Sequence, residues 1–199
     1  MINGGIVGSF YGNVTLLGTT FDAVGAAAPR PAFAFAEGAA VVLFAEEDDS
    51  EAPRSAARLS AELGCIAFSV GIHDDDIFLF EVHDRGRSVT GGAVPDPADY
   101  FGIDPEMLAD IDGSMLDGKD AAAPSALTGP PDPVSLVRAL GRGDVEAVRA
   151  ALEGAFVFAS ERHEAVVAAL GLPGGAVGWG YRYLSNDGDG YAGPPLSTL

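Results

Sequence analysis

The sequence predicts an α+β fold, an antiparallel or mixed sheet with helices packed on one face and a small C-terminal helical layer. Apolar runs over 65–72 and 77–83, joined by an acidic segment, are typical of a β-hairpin at the centre of a sheet. The apolar run over 39–45 predicts another strand. Helical periodicity over 51–63 and 160–170 provides helices to cover the sheet.

The central hairpin is the strongest signal. Its first run alternates large and small side chains, which predicts one bulky and one small face. The large residues are Ile66, Phe68, Val70 and Ile72, and the small ones are Cys65, Ala67, Ser69 and Gly71. The second run is apolar at nearly every position, so we expect it to be covered on both faces. The segment 84–87 then predicts a second turn, leading to a shorter strand at 88–90.

The N-terminal part extends this pattern. Short apolar pieces at 6–11 and 14–17 predict strands, and Thr20 is the expected N-cap of a helix that Pro29 ends. A further strand is expected at 32–36. The acidic string 46–49 then suits the N-terminus of the helix that ends at Gly64. This order is compatible with a doubled β-α-β-β arrangement with both helices on one face.

The C-terminal half predicts a helical layer within the same single domain, 1–199. Residues 91–131 are rich in Gly, Pro and Asp, and we expect them to form a flexible acidic connection with one small helix at 104–109. Three helices are expected at 133–140, 144–152 and 160–170, the last ended by Gly171 and Pro173. A final strand is predicted over 176–184, followed by a loose tail over 185–199.

Composition limits the classes of function. The formal net charge is −18, and residues 41–131 hold 19 acidic and 5 basic residues. Such a chain is a poor nucleic-acid binder, although a basic protein could be attracted to it; solubility or adaptation to salt would also explain the charge. The single cysteine, Cys65, excludes an internal disulfide and is expected to be buried. We see neither a signal peptide nor a membrane span, and we expect a cytoplasmic protein.

No catalytic, metal or cofactor site is evident. A GxSxG nucleophile elbow is absent, and each histidine, at 73, 83 and 163, is expected to be structural or on the surface. Metal binding could be argued for His73 with its neighbouring aspartates, or for 186–190, which resembles half a calcium loop without the glutamate of its twelfth position. Adjacent carboxylates in a turn are usually solvated, so we assign no metal.

Two groups of residues are candidates for partner binding. One is the acidic turn Asp74, Asp75 and Asp76; the other is the aromatic set Trp179, Tyr181 and Tyr183, which would share one face of the predicted last strand. We therefore expect a soluble acidic binding protein, of the toxin-neutralising or regulatory kind, that engages a basic partner. The alternatives are a small hydrolase-like enzyme that uses a histidine and carboxylates, and a structural domain with no small-molecule site. A pocket that gathers a histidine and two carboxylates would favour the enzyme.

The segment ERHEAVVAALGLPGGAVGWGYRYL resembles the C-terminal signature of a set of small bacterial proteins, of actinobacterial type, in which RH is followed by LGLP and then VG-GY-YL. The segment HDDDIFLFEVHDRG, followed by Asp99, Tyr100 and Phe101, is similar to their middle part, so the resemblance covers about 14–184. The link 91–96 departs from it by being less polar. No activity, cofactor or catalytic residue is established for that set, so the resemblance implies none here.

Overall fold

The fold is that of a computed structural model, which describes residues 9–96, 99–100 and 130–199. Most of the expected connection 91–131, including its helix at 104–109, lies outside these ranges. Among the described residues, no helix is both long enough and apolar enough to cross a membrane.

A seven-stranded sheet, antiparallel at every pairing, organises the described residues. The strands lie in the order β6-β5-β4-β1-β3-β2-β7. They are β1 Tyr11–Leu17, β2 Ala32–Glu37, β3 Ala40–Ala45, β4 Ile66–His73, β5 Ile77–Asp84, β6 Arg87–Val94 and β7 Ser197–Thr198. Pairing of β1 with both β3 and β4 joins the two halves of the sheet. The expected α+β class, with the hairpin β4-β5 inside the sheet, is confirmed.

In the described ranges, six α-helices cover this sheet: α1 Phe21–Ala27, α2 Asp48–Leu63, α3 Pro133–Leu140, α4 Val145–Glu153, α5 Ala159–Leu170 and α6 Tyr181–Asp187. The order is β-α-β-β followed by α-β-β-β. Thr20 caps α1 and Asp132 caps α3, with their side chains accepting amide hydrogen bonds as the sequence predicts.

The α1 and α2 helices share one face of the sheet. The small residues of β4 lie on this face, where Cys65 and Ala67 are buried with Ala52, Ala56 and Leu59 of α2. Because these strand residues are small, α2 packs close to the sheet. The predicted difference between the two faces of β4 is thus confirmed.

The opposite face carries the large side chains. Phe68, Phe78 and Phe80 form an aromatic core. The ring centroid of Phe80 lies 5.6 Å from that of Phe78 and 6.1 Å from that of Phe68. Helices α3, α4 and α5 cover it through buried residues that include Leu136, Leu140, Val148, Leu152, Val166 and Leu170. Strand β6 extends to Val94, further than expected, and its Ala93 is buried.

The prediction of a strand over 176–184 is wrong. Gly178 has φ +79°, and Gly180 is the extended N-cap from which α6 begins at Tyr181. A left-handed glycine breaks the extended run, so the alternation of aromatic residues does not place them on one strand face.

The expectation of a loose tail over 185–199 is also wrong. Strand β7 pairs with β2, and the backbone N–H of Leu199 donates to the carbonyl of Ala32. Tyr191 packs against Phe35, with ring centroids 6.4 Å apart. Backbone pairing and aromatic contact together fix the end of the chain to the edge of the sheet.

Candidate functional site

A cavity of about 390 Å³ opens where β1 begins, β4 ends and α2 starts. Its lining combines strand residues with the first turns of the helix. Among them are Phe10, Ser69, Gly71, His73, Asp48 and Asp49. The small side chains at the end of β4 leave this space unfilled, and the acidic start of α2 makes one wall of it anionic.

The first turn of α2 lies against β1 because residue 12 is a glycine. A Cβ atom at Gly12 would lie 1.8 Å from the carbonyl oxygen of Asp48. Any other residue would therefore push the start of α2 away from the sheet. This close approach places both carboxylates at the cavity.

Asp48 is the most unusual polar residue of the cavity, since its exposed fraction is only 1%. Its Oδ2 accepts a hydrogen bond from the backbone N–H of Ala45 at 3.0 Å, whereas Oδ1 has no hydrogen-bond partner among the described residues. Burial raises the pKa of this carboxyl to about 7, although the Ala45 amide and the nearby Ser55 act in the opposite direction. Asp48 can therefore gain or lose a proton near neutral pH.

Asp49 has a structural task. Its Oδ2 accepts a hydrogen bond from the backbone N–H of Arg182 at 3.0 Å, in the first turn of α6. Burial raises the pKa of Asp49, while the amides of Arg182, Gly12 and Tyr181 lower it. Helix α6 has no side-chain cap from its own N-cap residue, Gly180, so Asp49 provides one from the distant α2.

His73 and Ser69 do not complete a nucleophilic site. His73 is exposed at the rim, and its ring meets Phe10 edge-on with centroids 4.9 Å apart. The buried Ser69 hydroxyl donates to the carbonyl of Glu81 at 3.2 Å. Within 9–96, 99–100 and 130–199, no group of three or more His, Cys, Asp or Glu residues could hold a metal ion.

The other two histidines lie in the core. His163 is fully buried, with Nδ1 2.9 Å from the hydroxyl of Tyr11. Desolvation lowers its pKa to about 3, so its ring is neutral at physiological pH. His83 is nearly buried, with Nε2 3.4 Å from Oε1 of Glu81; burial lowers its pKa and Glu81 opposes this. Neither histidine lines the cavity.

The predicted acidic turn divides into two roles. Asp74 and Asp76 are exposed, and Asp76 accepts a hydrogen bond from the hydroxyl of Tyr100 at 2.7 Å. Asp75 instead accepts a hydrogen bond from the backbone N–H of Ser160 at 3.1 Å, while its carbonyl accepts from Ala159. Our expectation that all three carboxylates are solvated is wrong for Asp75, because it caps α5.

The predicted aromatic set is packed, each member against a different neighbour. Trp179 meets Tyr191 edge-on at 5.3 Å, and Tyr181 lies 5.5 Å from Phe33. The hydroxyl of Tyr183 accepts a hydrogen bond from the backbone N–H of Phe10 at 3.1 Å. All three are partly buried, so they contribute more to packing of the last segment than to an exposed surface.

Sequence reasoning missed Asp48 and Asp49, which it interpreted as charges that offset the start of a helix. Helical spacing would not have found Asp48. It lies four and eight residues before the buried Ala52 and Ala56, but Glu51 has a non-helical φ of −130° and ψ of 27°, which interrupts α2 between Asp48 and these alanines. The position of Asp48 depends instead on the close approach of the first turn to β1 at Gly12.

No family model, curated protein or solved structure matches this chain.

Proposed function

We propose that this protein is a binding protein that recruits a basic partner, with the acidic cavity receiving a guanidinium or ammonium group. One observation carries the proposal: Oδ1 of Asp48 is buried beside the cavity and makes no hydrogen bond among the described residues, and the hydroxyl of the nearby Ser55 is likewise unpartnered. A buried acceptor that lacks a donor costs free energy, which a ligand donor would recover.

The charge around the cavity supports this proposal. Exposed carboxylates lie on both sides of it, Glu46 and Glu47 before α2 and Asp74 and Asp76 after β4. Glu47 is 3.5 Å from Arg58, but exposed ion pairs of this kind neutralise little of the attraction for a cation at longer range. A cationic ligand would therefore be attracted to the rim before it enters.

The size and lining of the cavity fit one side chain. Its volume lies within the usual range for small ligands, and Phe10, Ala52 and Leu79 provide apolar contacts. An arginine or lysine side chain has an apolar stem and a charged end, so it would match an apolar wall that ends in a carboxylate.

The test uses two matched probes, N-acetylarginine amide and its neutral isostere N-acetylcitrulline amide. We expect saturable binding of the arginine probe in a ligand-observed NMR titration, with weaker binding of the citrulline probe. Since a bound cation favours the ionised carboxylate, affinity should rise with pH through about 7.

The Asp48→Asn variant serves as the control, because its amide oxygen can still accept the hydrogen bond from Ala45. It should lose the preference for arginine and the pH dependence. Equal binding of the two probes, or unchanged binding by Asp48→Asn, would contradict the proposal. Glu46→Gln should weaken binding only slightly, since Glu46 is an exposed charge.

A second candidate function, a small hydrolase-like enzyme, is favoured by the composition of the cavity, which brings together one histidine and two carboxylates. Asp48 would be the general acid or base, because its pKa of about 7 suits proton transfer near neutral pH. The enzyme ranks second because Oδ2 of Asp49 and the Ser69 hydroxyl are already hydrogen-bonded to backbone groups, although Oδ1 of Asp49 has no hydrogen-bond partner among the described residues.

The enzyme hypothesis can be tested with a panel of chromogenic ester, amide and phosphate substrates. Turnover with a pH–rate inflection near 7 that disappears in Asp48→Asn would favour catalysis. Turnover that is equal in wild type and Asp48→Asn would exclude Asp48 as the proton donor or acceptor.

A further inference from the structure

A short apolar loop, 155–158, projects into solvent before α5. Val157 is 76% exposed and Phe158 is 49% exposed. Large apolar side chains at such exposure are uncommon when they lie next to each other, and they mark interaction sites more often than scattered single residues do.

The backbone of this loop is fixed although its side chains are exposed. The N–H groups of Val157 and Phe158 both donate to Oε2 of Glu161, at 3.1 and 3.3 Å. The next two amides, of Ala159 and Ser160, donate to the carbonyl and the carboxylate of Asp75. Four consecutive amides are therefore held, and the loop would lose little conformational entropy on binding.

The base of the loop is anchored as well. The guanidinium of Arg162 lies 5.0 Å from the ring centroid of Phe156 and donates to the carbonyls of Ala151 and Leu152. A Cβ atom at Gly154 would lie 2.7 Å from the carbonyl oxygen of Ala150 and 2.8 Å from the Phe156 ring. Phe156 is thereby turned inward while the next two side chains remain outside.

Negative charge lies beside this apolar loop. Asp75 accepts hydrogen bonds from Ala159 and Ser160, which directly follow the loop, so the exposed Asp74 and Asp76 lie in the turn that contacts the start of α5. Glu161 adds a third carboxylate at the loop itself. The surface thus combines rigid apolar side chains with carboxylates, which are complementary to a segment that is both apolar and basic.

We propose that Val157 and Phe158, together with Asp74 and Asp76, form a docking surface for a segment of a partner protein in which a large apolar side chain adjoins lysine or arginine. The positive charge of this partner rests on the proposed function. The large apolar side chain of the partner is what the docking surface adds to it. A second copy of this chain is a poor occupant, since each copy has a net charge of −18 and would bring its own carboxylates to the same surface.

The residue at the N-cap of α5 supports a binding role. Phe158 occupies that position, where serine, threonine, aspartate and asparagine are the stabilising residues. A phenylalanine that is half exposed there contributes little to folding. Phe158→Ser should therefore leave the melting temperature unchanged or raise it.

The test measures binding of dye-labelled peptides to the full chain by fluorescence anisotropy at 0.01 and 0.15 M salt. The probe alternates leucine with arginine, and its controls alternate leucine with glutamate or serine with arginine. We expect the leucine–arginine peptide to bind best and its affinity to fall with salt. The double variant Val157→Ser/Phe158→Ser should weaken its binding about tenfold.

The matched control is Val89→Ser/Val134→Ser, which removes two valines of 50% and 39% exposure on other elements and should bind as wild type does. Asp74→Asn/Asp76→Asn should weaken binding at 0.01 M salt and reduce its salt dependence. Both outcomes would support the docking surface.

Four results would overturn it. Equal binding of the serine–arginine peptide would remove the apolar element while leaving the proposed function intact. Loss of binding in Asp48→Asn but not in the double serine variant would assign the peptide to the cavity alone. A wild-type dimer that Phe158→Ser dissociates, observed by sedimentation, would make the surface a contact between copies. Failure of every cationic probe to bind would contradict the proposed function as well.

Discussion

The carboxylate of Asp75 accepts a hydrogen bond from the backbone N–H of Ser160 at 3.1 Å, across 85 residues of sequence. The same arrangement recurs between Asp49 and Arg182, at 3.0 Å and across 133 residues. In each case one aspartate of an acidic run supplies the N-terminal cap of a distant helix. These two contacts tie α5 to the turn between β4 and β5, and α6 to α2.

The first prediction compares two adjacent aspartates with matched backbones. Asp74 and Asp75 have φ +55° and +57°, so alanine meets the same backbone strain at both positions. Asp75→Ala additionally removes the cap of α5 and should reduce the free energy of unfolding by about 1 kcal/mol more than Asp74→Ala. Urea denaturation of both variants gives the difference. Equal losses would show that the cap contributes nothing.

The second prediction concerns the approach of α2 to β1. Gly12→Ala should destabilise the fold strongly, because its Cβ would overlap the backbone carbonyl of Asp48. Gly25→Ala is the control: Gly25 lies in α1, where the new Cβ would meet Leu199 at 3.6 Å, an ordinary contact. It should raise stability by up to about 1 kcal/mol, since alanine favours helix more than glycine does. Thermal denaturation of both proteins tests the pair, and a stable Gly12→Ala would contradict the observed packing.

The third prediction follows from the raised pKa of Asp48. An aspartate with a folded-state pKa of about 7 binds more protons in the folded than in the unfolded chain between about pH 4 and 7. Its contribution to stability is therefore complete below pH 4 and is lost as pH rises through 7. Asp48→Asn should remove this loss, so the stability of the variant relative to wild type should increase from pH 4 to 8. Denaturation at stepped pH measures it, and a constant difference would be contrary to expectation.

The fourth prediction concerns His163, whose contribution to stability changes with pH in the opposite direction to that of Asp48. Its folded-state pKa of about 3 lies below the usual 6.5, so the unfolded chain binds the extra proton between these values. This group contributes stability above pH 6.5 that is lost as pH falls towards 3. His163→Gln, whose amide can still hydrogen-bond to the Tyr11 hydroxyl, should make the fold less sensitive to acid over that range. Denaturation at the same pH steps tests this prediction. If the free energy of unfolding fell with decreasing pH as steeply in His163→Gln as in wild type, the prediction would be contradicted.

The fifth prediction tests the aromatic core. Phe80→Ala should cost about 3 to 5 kcal/mol, since the side chain is 1% exposed and packs between Phe68 and Phe78. Val89→Ala on the neighbouring β6 is the control, because Val89 is half exposed and its loss should change stability little. Chemical denaturation separates the two, and a loss near zero at Phe80 would place it outside the core.

Local patterns in the sequence predicted the elements that depend on local rules. Alternation of side-chain size along β4 predicted one bulky and one small face, and Asp132 with Pro133 predicted the start of α3. The same rules failed over 176–184, because Gly178 takes a left-handed conformation that aromatic alternation does not reveal. Periodicity describes a residue's neighbours along the chain, and a single glycine can interrupt it.

The cavity is formed by contacts between elements that are distant in sequence, and no local pattern encodes such contacts.

The sequence by itself determined the acidic character of this protein, its central hairpin and most of its helices, because charge, alternation and capping act over a few residues. Only the tertiary structure decided which carboxylates are buried or bound to backbone. Asp48 and Asp74 look alike in sequence, yet one is enclosed where α2 meets β1 and the other faces solvent. Burial changes the cost of a charge, and burial results from how distant elements pack together.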